Sequence, residues 1–123
     1  MQSETTRGTI LFAHGSRDPL WRKPIEAVAR HIRDIAPAVQ VRCAYLELTE
    51  PDLLTSAAEL ATLGVASITV VPLFLGVGKH AREDLPRLVA TLQASYPHIA
   101  FDLRPAIGEE AQMIELMARI ALS

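Results

Sequence analysis

The chain has 123 residues, enough for one domain of ordinary size and too few for a two-domain enzyme. Half of the residues are hydrophobic and 21% are charged, which excludes a disordered or low-complexity chain and predicts a packed core. Twelve Lys and Arg stand against 14 Asp and Glu, a formal charge of -2, so no general basic field exists to hold nucleic acid or an anionic membrane, and neither is an expected partner.

Short β-rich runs alternate with helical periods over the whole chain, with no linker, charge block or internal repeat between them. This is the pattern of βαβ units in one domain spanning 1–123. The first strand is Thr9 to Ala13, ending in His14-Gly15-Ser16; Asp18-Pro19 then opens a helix with Ile25, Val28, Ala29, Ile32 and Ile35 at helical spacing, stopped by Pro37. A second strand runs from Val39 to Leu46. Thr49 is the expected cap of the next helix, with Pro51 in its first turn and Gly64 at its end. The third strand, Ser67 to Leu73, leads into Gly76-Val77-Gly78-Lys79-His80 and a helix from Asp84 or Leu85 to Ser95; a strand at Ile99 to Leu103 and a helix at Glu109 to Ala121 follow. The longest apolar stretches, such as Ile68 to Val77, fall short of the roughly 18 residues that span a bilayer, and the opening MQSETTRG is polar, unlike a signal peptide. The expected location is the cytoplasm. Cys43 is the only cysteine, which excludes an internal disulfide and a Cys-based zinc site; it reads as a small apolar strand residue rather than a reactive thiol.

Strand composition predicts strand order. Thr9 to Ala13 and Ile68 to Val71 are nearly continuous apolar runs, as central strands covered on both faces require, whereas Gln40, Arg42, Asp102 and Arg104 alternate with apolar residues, as on edge strands. Right-handed crossovers then favour the order 2-1-3-4, a three-layer α/β sandwich with a four-stranded parallel sheet. Pro72 cannot donate to a ladder and belongs near the carboxyl end of its strand. In this order the chain reverses direction between strands 1 and 3, and ligands of open α/β sheets bind at such a switch point, outside the carboxyl ends of the strands.

The loops leaving strands 1 and 3 contain His14 and His80, and Glu47 follows strand 2 on the same rim. Two imidazoles and a carboxylate suit Co²⁺, Fe²⁺, Ni²⁺ or Zn²⁺, and neutral imidazole also accepts protons, so the set is fitted to bind metal, move protons, or both. The competing reading is that each histidine only caps a helix or bonds to backbone. His31, inside the first helix, and His98, before an edge strand, read as solvent-facing. Arg17, Arg22, Lys79, Arg82 and Arg87, with Lys23, cluster in or after the same loops and would attract an anion, unless Asp18, Glu26, Glu83 and Asp84 neutralise them. Gly76-Val77-Gly78-Lys79 lacks Walker spacing, so nucleotide binding is not supported; the glycines are read as turning the loop to bring His80 over the crevice.

These residues carry a resemblance. Leu11-Phe12-Ala13-His14-Gly15-Ser16-Arg17, Tyr45-Leu46-Glu47-Leu48 with Pro51, Val71-Pro72-Leu73-Phe74-Leu75, Gly78-Lys79-His80 and Asp84-Leu85-Pro86, in this order, resemble the short single-domain CbiX/SirB-type sirohydrochlorin chelatases from Thr9 to Leu122. The resemblance implies a class II chelatase fold and insertion of a divalent metal, Co²⁺ or Fe²⁺, into sirohydrochlorin for cobalamin or siroheme synthesis. It implies no ATP and no tightly bound cofactor, the metal being substrate. Carried over, His14 and His80 match the two active-site histidines, expected to hold the metal or take the pyrrolic protons, and Glu47 matches an accompanying acidic residue. Ser16, Arg17, Lys79 and Arg82 are the expected contacts to the substrate carboxylates. Activity is expected to fall as the histidines protonate in moderately acidic solution. A macrocycle needs walls on both faces, so a homodimer is expected, with Leu20, Trp21, Leu75 and Val77 at the loop mouths as candidate contacts. Two alternatives differ in class. A histidine phosphatase expects Arg immediately before His-Gly, where this chain has Ala13. A metal or tetrapyrrole carrier would use the same ligands without turnover.

Overall fold

The computed structural model describes residues 6–123; the first five residues of the polar opening segment lie outside the described residues. The elements are β1 (Arg7–Ala13), a one-turn 3-10 helix (Pro19–Arg22), α1 (Lys23–Ile35), β2 (Gln40–Tyr45), α2 (Leu53–Thr62), β3 (Ser67–Pro72), α3 (Lys79–Ser95), β4 (Ala100–Leu103), a 3-10 turn (Ile107–Glu109) and α4 (Ala111–Leu122). All strand pairs are parallel and the order is β2-β1-β3-β4, as the composition of the strands predicts. Pro72 is the last residue of β3, paired in register with Phe12, so no ladder bond is forfeited mid-strand.

Strand ends shift by one or two residues from the sequence expectation, α1 and α4 begin later than expected, at Lys23 and Ala111, each behind a 3-10 turn, and the starts of α2 and α3 differ in kind. Thr49 does not cap α2. Asp52 does, its carboxylate accepting from the Thr55 amide at 2.8 Å, and Pro51 lies before the helix rather than in its first turn. Helix α3 begins at Lys79, five residues before Asp84, with Gly78 in extended backbone as its N-cap. The early start is masked in the sequence by Pro86, a residue common in first turns; here it sits inside the helix, where its missing N–H leaves the Arg82 carbonyl without its usual partner. Gly64 ends α2 as expected, in a left-handed conformation at φ 79°.

The core has two layers. On one face, α2 (Leu53, Ala57, Leu60) and α3 (Leu85, Leu92) pack on Ile10, Phe12, Ala44, Ile68 and Val70. On the other, α1 (Ile25, Ala29) packs on Leu11, Ala13, Val41 and Tyr45. Beyond α1 this second face thins. Strand β1 is buried on both faces, but Ser67, Thr69 and Val71 of β3 are half-buried and Ala100 and Asp102 of β4 are exposed. No residue of α4 is buried. No helix among the described residues is long and apolar enough to cross a membrane.

Candidate functional site

Parallel strands deliver every strand-to-helix loop to one rim, and two close backbone contacts bind these loops in pairs. A β-carbon on Gly15 would overlap the Glu47 carbonyl oxygen, so only glycine lets the loop after β1 lie against the loop after β2. The Ser16 amide donates to Thr49 Oγ1 at 3.2 Å, and the Thr49 hydroxyl donates to the Ser16 carbonyl. Thr49 is thus engaged across the rim instead of capping a helix. On the other side, a β-carbon on Gly108 would overlap the Leu75 carbonyl, and the Gly108 amide donates to the Phe74 carbonyl at 2.9 Å, joining the loops after β3 and β4.

His14 follows β1 directly and is exposed. Its ring lies 4.4 Å from the ring of Phe74, centroid to centroid, tilted by 30°. Phe74 is buried in the loop after β3, so the contact ties His14 to the chain segment that leads to His80. His80 is the second residue of α3, on a helical turn rather than in a loop, and is exposed. Glu47 is exposed in the loop after β2, where its backbone meets Gly15. Among the described residues, no three His, Cys, Asp or Glu side chains are grouped so as to hold a metal ion, so His14, His80 and Glu47 share the rim without forming a ready-made three-ligand centre.

The cations divide into two sets. Arg22 pairs with Glu26 at 3.7 Å and Arg87 with Asp84 at 3.5 Å, whereas Arg17, Lys79 and Arg82 form no ion pair among the described residues and are exposed. Lys79, His80 and Arg82 crowd the first turn of α3, which holds no acidic residue. The helix dipole disfavours positive charge there by about 0.3–1 kcal/mol per group, so the placement has no local structural benefit. Ser16 Oγ accepts from the Asp18 amide at 3.1 Å and keeps its own proton free to donate. His31 and His98 are exposed away from these loops. Burial pushes the Cys43 thiol up from its usual range and the Tyr45 phenol up to about 12, which leaves both protonated at neutral pH and out of any proton relay.

Phe74, Thr49, Gly15 and Gly108 organise the rim through contacts between loops distant in sequence. The sequence reading takes Thr49 only as a helix cap and Gly15 and Phe74 only as members of the motifs that carry the resemblance, and it gives Gly108 no role.

The described chain is thus a four-stranded parallel α/β domain with imidazoles and unpaired cations in the segments that leave its two central strands. The CbiX family pattern matches residues 8–121, and the chain belongs to that family. Among solved structures, a CbiX protein of Marinobacter aquaeolei VT8 is 32% identical with a TM-score of 0.73, covering 94% of this chain and 93% of its own. The sirohydrochlorin chelatase SirB of Bacillus subtilis subspecies spizizenii, in complex with cobalt, gives a TM-score of 0.77 at 26% identity, covering 94% of this chain and 50% of SirB. A sirohydrochlorin cobaltochelatase of Methanopyrus kandleri is 34% identical over 80 residues, which are 65% of this chain and 56% of that protein. The chain thus spans under two thirds of the length of that relative and half the length of SirB.

Proposed function

We propose that this chain inserts a divalent metal, Co²⁺ or Fe²⁺, into sirohydrochlorin in the cytoplasm, without ATP or a tightly bound cofactor, on the way to cobalamin or siroheme. One conjunction carries this reading: membership of the CbiX family over residues 8–121, with two imidazoles at the rim on segments that follow the adjacent central strands β1 and β3. Relatives named for sirohydrochlorin and a neighbour solved with cobalt support the substrate pair.

The reaction exchanges two inner pyrrolic protons for one metal ion. Arg17, Lys79 and Arg82, with the Ser16 hydroxyl, hold the peripheral carboxylates. His14, fixed against Phe74, and His80 present neutral nitrogens that hold the incoming metal or take the departing protons; Glu47 orients a histidine or passes protons to solvent. One copy supplies a single rim, so the working unit is a homodimer whose second copy walls the other face of the ring. Leu20, Trp21 and Leu75 are exposed and available for contact, whereas Val77 already packs on the core.

Anaerobic mixing of the purified chain with sirohydrochlorin and Co²⁺ or Fe²⁺, followed by absorbance, tests the reading. Catalytic conversion above the metal-only rate supports it. Stoichiometric binding with no acceleration overturns it in favour of a carrier.

A further inference from the structure

A cavity of about 420 Å³, lined by neither His14 nor His80, lies between α1 and the edge strand β2. Its volume falls within the range of ordinary small-molecule sites. Four guanidiniums line it, those of Arg22, Arg30, Arg33 and Arg42. Helix α1 returns antiparallel to β2, so Arg22 and Tyr45 stand at the end nearest the rim, and Arg33 and Arg42 at the far end.

Arg22, Glu26, Arg30 and Arg33 follow one another at helical spacing, so α1 presents them as one stripe toward the β2 edge. Two of the four positive charges are answered: Arg22 by Glu26 at 3.7 Å, and Arg42 by Glu59 of α2 at 3.1 Å. Arg30 and Arg33 form no ion pair among the described residues. Glu50 also lines the cavity, but from the loop after β2, at the rim end.

At the far end like charges are held side by side. Arg33 Nη2 and Arg42 Nη1 both donate to the Val41 carbonyl, at 3.3 and 3.0 Å, so two guanidiniums share one acceptor. One donor is enough for that carbonyl and for guarding a strand edge. The second adds repulsion and gives up side-chain freedom. Between the two ends, Ala29 and Tyr45 are buried and form a largely apolar floor. An anion drawn in is therefore partly shielded from water, where guanidinium forks hold oxyanions most strongly.

We propose that this cavity is a second ligand site, for a small molecule with two or more oxyanion groups, carboxylate or phosphate. Arg33 and Arg42 together grip one group, and Arg30 holds another along the wall. An occupant of this charge relieves the repulsion at the far end and gives Arg30 and Arg33 the partners they lack within the chain. The inference goes beyond the chelatase reading and stands apart from it, since neither metal nor tetrapyrrole enters its test.

The test titrates ¹⁵N-labelled full-length chain with inorganic pyrophosphate and, separately, with citrate, at an ionic strength held constant with sodium chloride, following the amide resonances by NMR. At least one probe is expected to saturate in the sub-millimolar range, with the largest shifts between Ala29 and Arg33 and between Val41 and Tyr45. Tighter pyrophosphate assigns a phosphorylated ligand, and tighter citrate a polycarboxylate. Arg30→Ser removes an exposed side chain outside the core and should weaken binding about threefold or more; combined with Arg33→Gln, the loss should reach about tenfold or more. Shifts centred on Ser16, Lys79 and Arg82 instead would overturn the proposal in favour of anion capture at the rim. Unsaturated shifts with both probes, or a dissociation constant indifferent to both substitutions, would refute it.

Discussion

At the scale of single residues, the rim separates side chains that carry chemistry from those that hold them in place. His14 and His80 are both exposed and contribute little to the core, so His14→Ala and His80→Ala should each lower the metal insertion rate by about 100-fold or more while leaving circular dichroism unchanged. Glu47→Gln should cost as much or less. Wild-type rates in both folded histidine variants would show that the rim is not the site. Ser56 is the opposite case, a fully buried hydroxyl without a hydrogen-bond partner in the core beneath α2. Removing it leaves no orphaned group, so Ser56→Ala should stabilise the fold by about 1 kcal/mol, read as a higher urea midpoint with unchanged slope. Both histidines were legible in the sequence because each follows a strongly apolar central strand. The stacking of His14 on Phe74 was not: it joins residues 60 apart, and neither local propensity nor spacing encodes it.

At the scale of elements, local chemistry sets most boundaries, and Asp52 can be tested directly. The Thr55 amide, donating to the Asp52 carboxylate, holds that carboxyl below the usual carboxylate range. Asp52→Ala should therefore cost about 1 kcal/mol near neutral pH. A lowered folded-state pKa means the stabilisation is complete above the unfolded value near 4 and disappears as pH falls through the lower folded value. The difference between wild type and Asp52→Ala in denaturant melts should shrink across that acid window; a constant difference would assign the effect to packing instead. The same residue shows where sequence reading stops. Thr49 and Asp52 are both good caps, and the choice is made by the Ser16 backbone, which engages the Thr49 hydroxyl from another loop. The sheet order was legible because apolar continuity and right-handed crossovers leave few arrangements. The thin covering of β3 was not, since its apolar run anticipates a layer that the single chain does not supply.

At the scale of the whole molecule, charge and association become measurable. Neutralising Arg17 together with Lys79 should raise KM for the tetrapyrrole more than it lowers kcat, and added salt should reproduce part of the effect on wild type. A KM indifferent to both would remove electrostatic capture from the mechanism. Activity should also fall in parallel with dimer dissociation over a dilution series followed by sedimentation; a fully active monomer would mean that one rim suffices. The parallel sheet, which sends every strand-to-helix loop to one rim, also gives the molecule a blunt opposite end, where Thr6 accepts the Ala66 amide at 2.8 Å just before β1 begins. A tether or affinity handle placed ahead of β1 therefore hangs from the pole farthest from the histidines, and protein anchored to a bead or electrode by that handle would offer its loops outward to dissolved macrocycle.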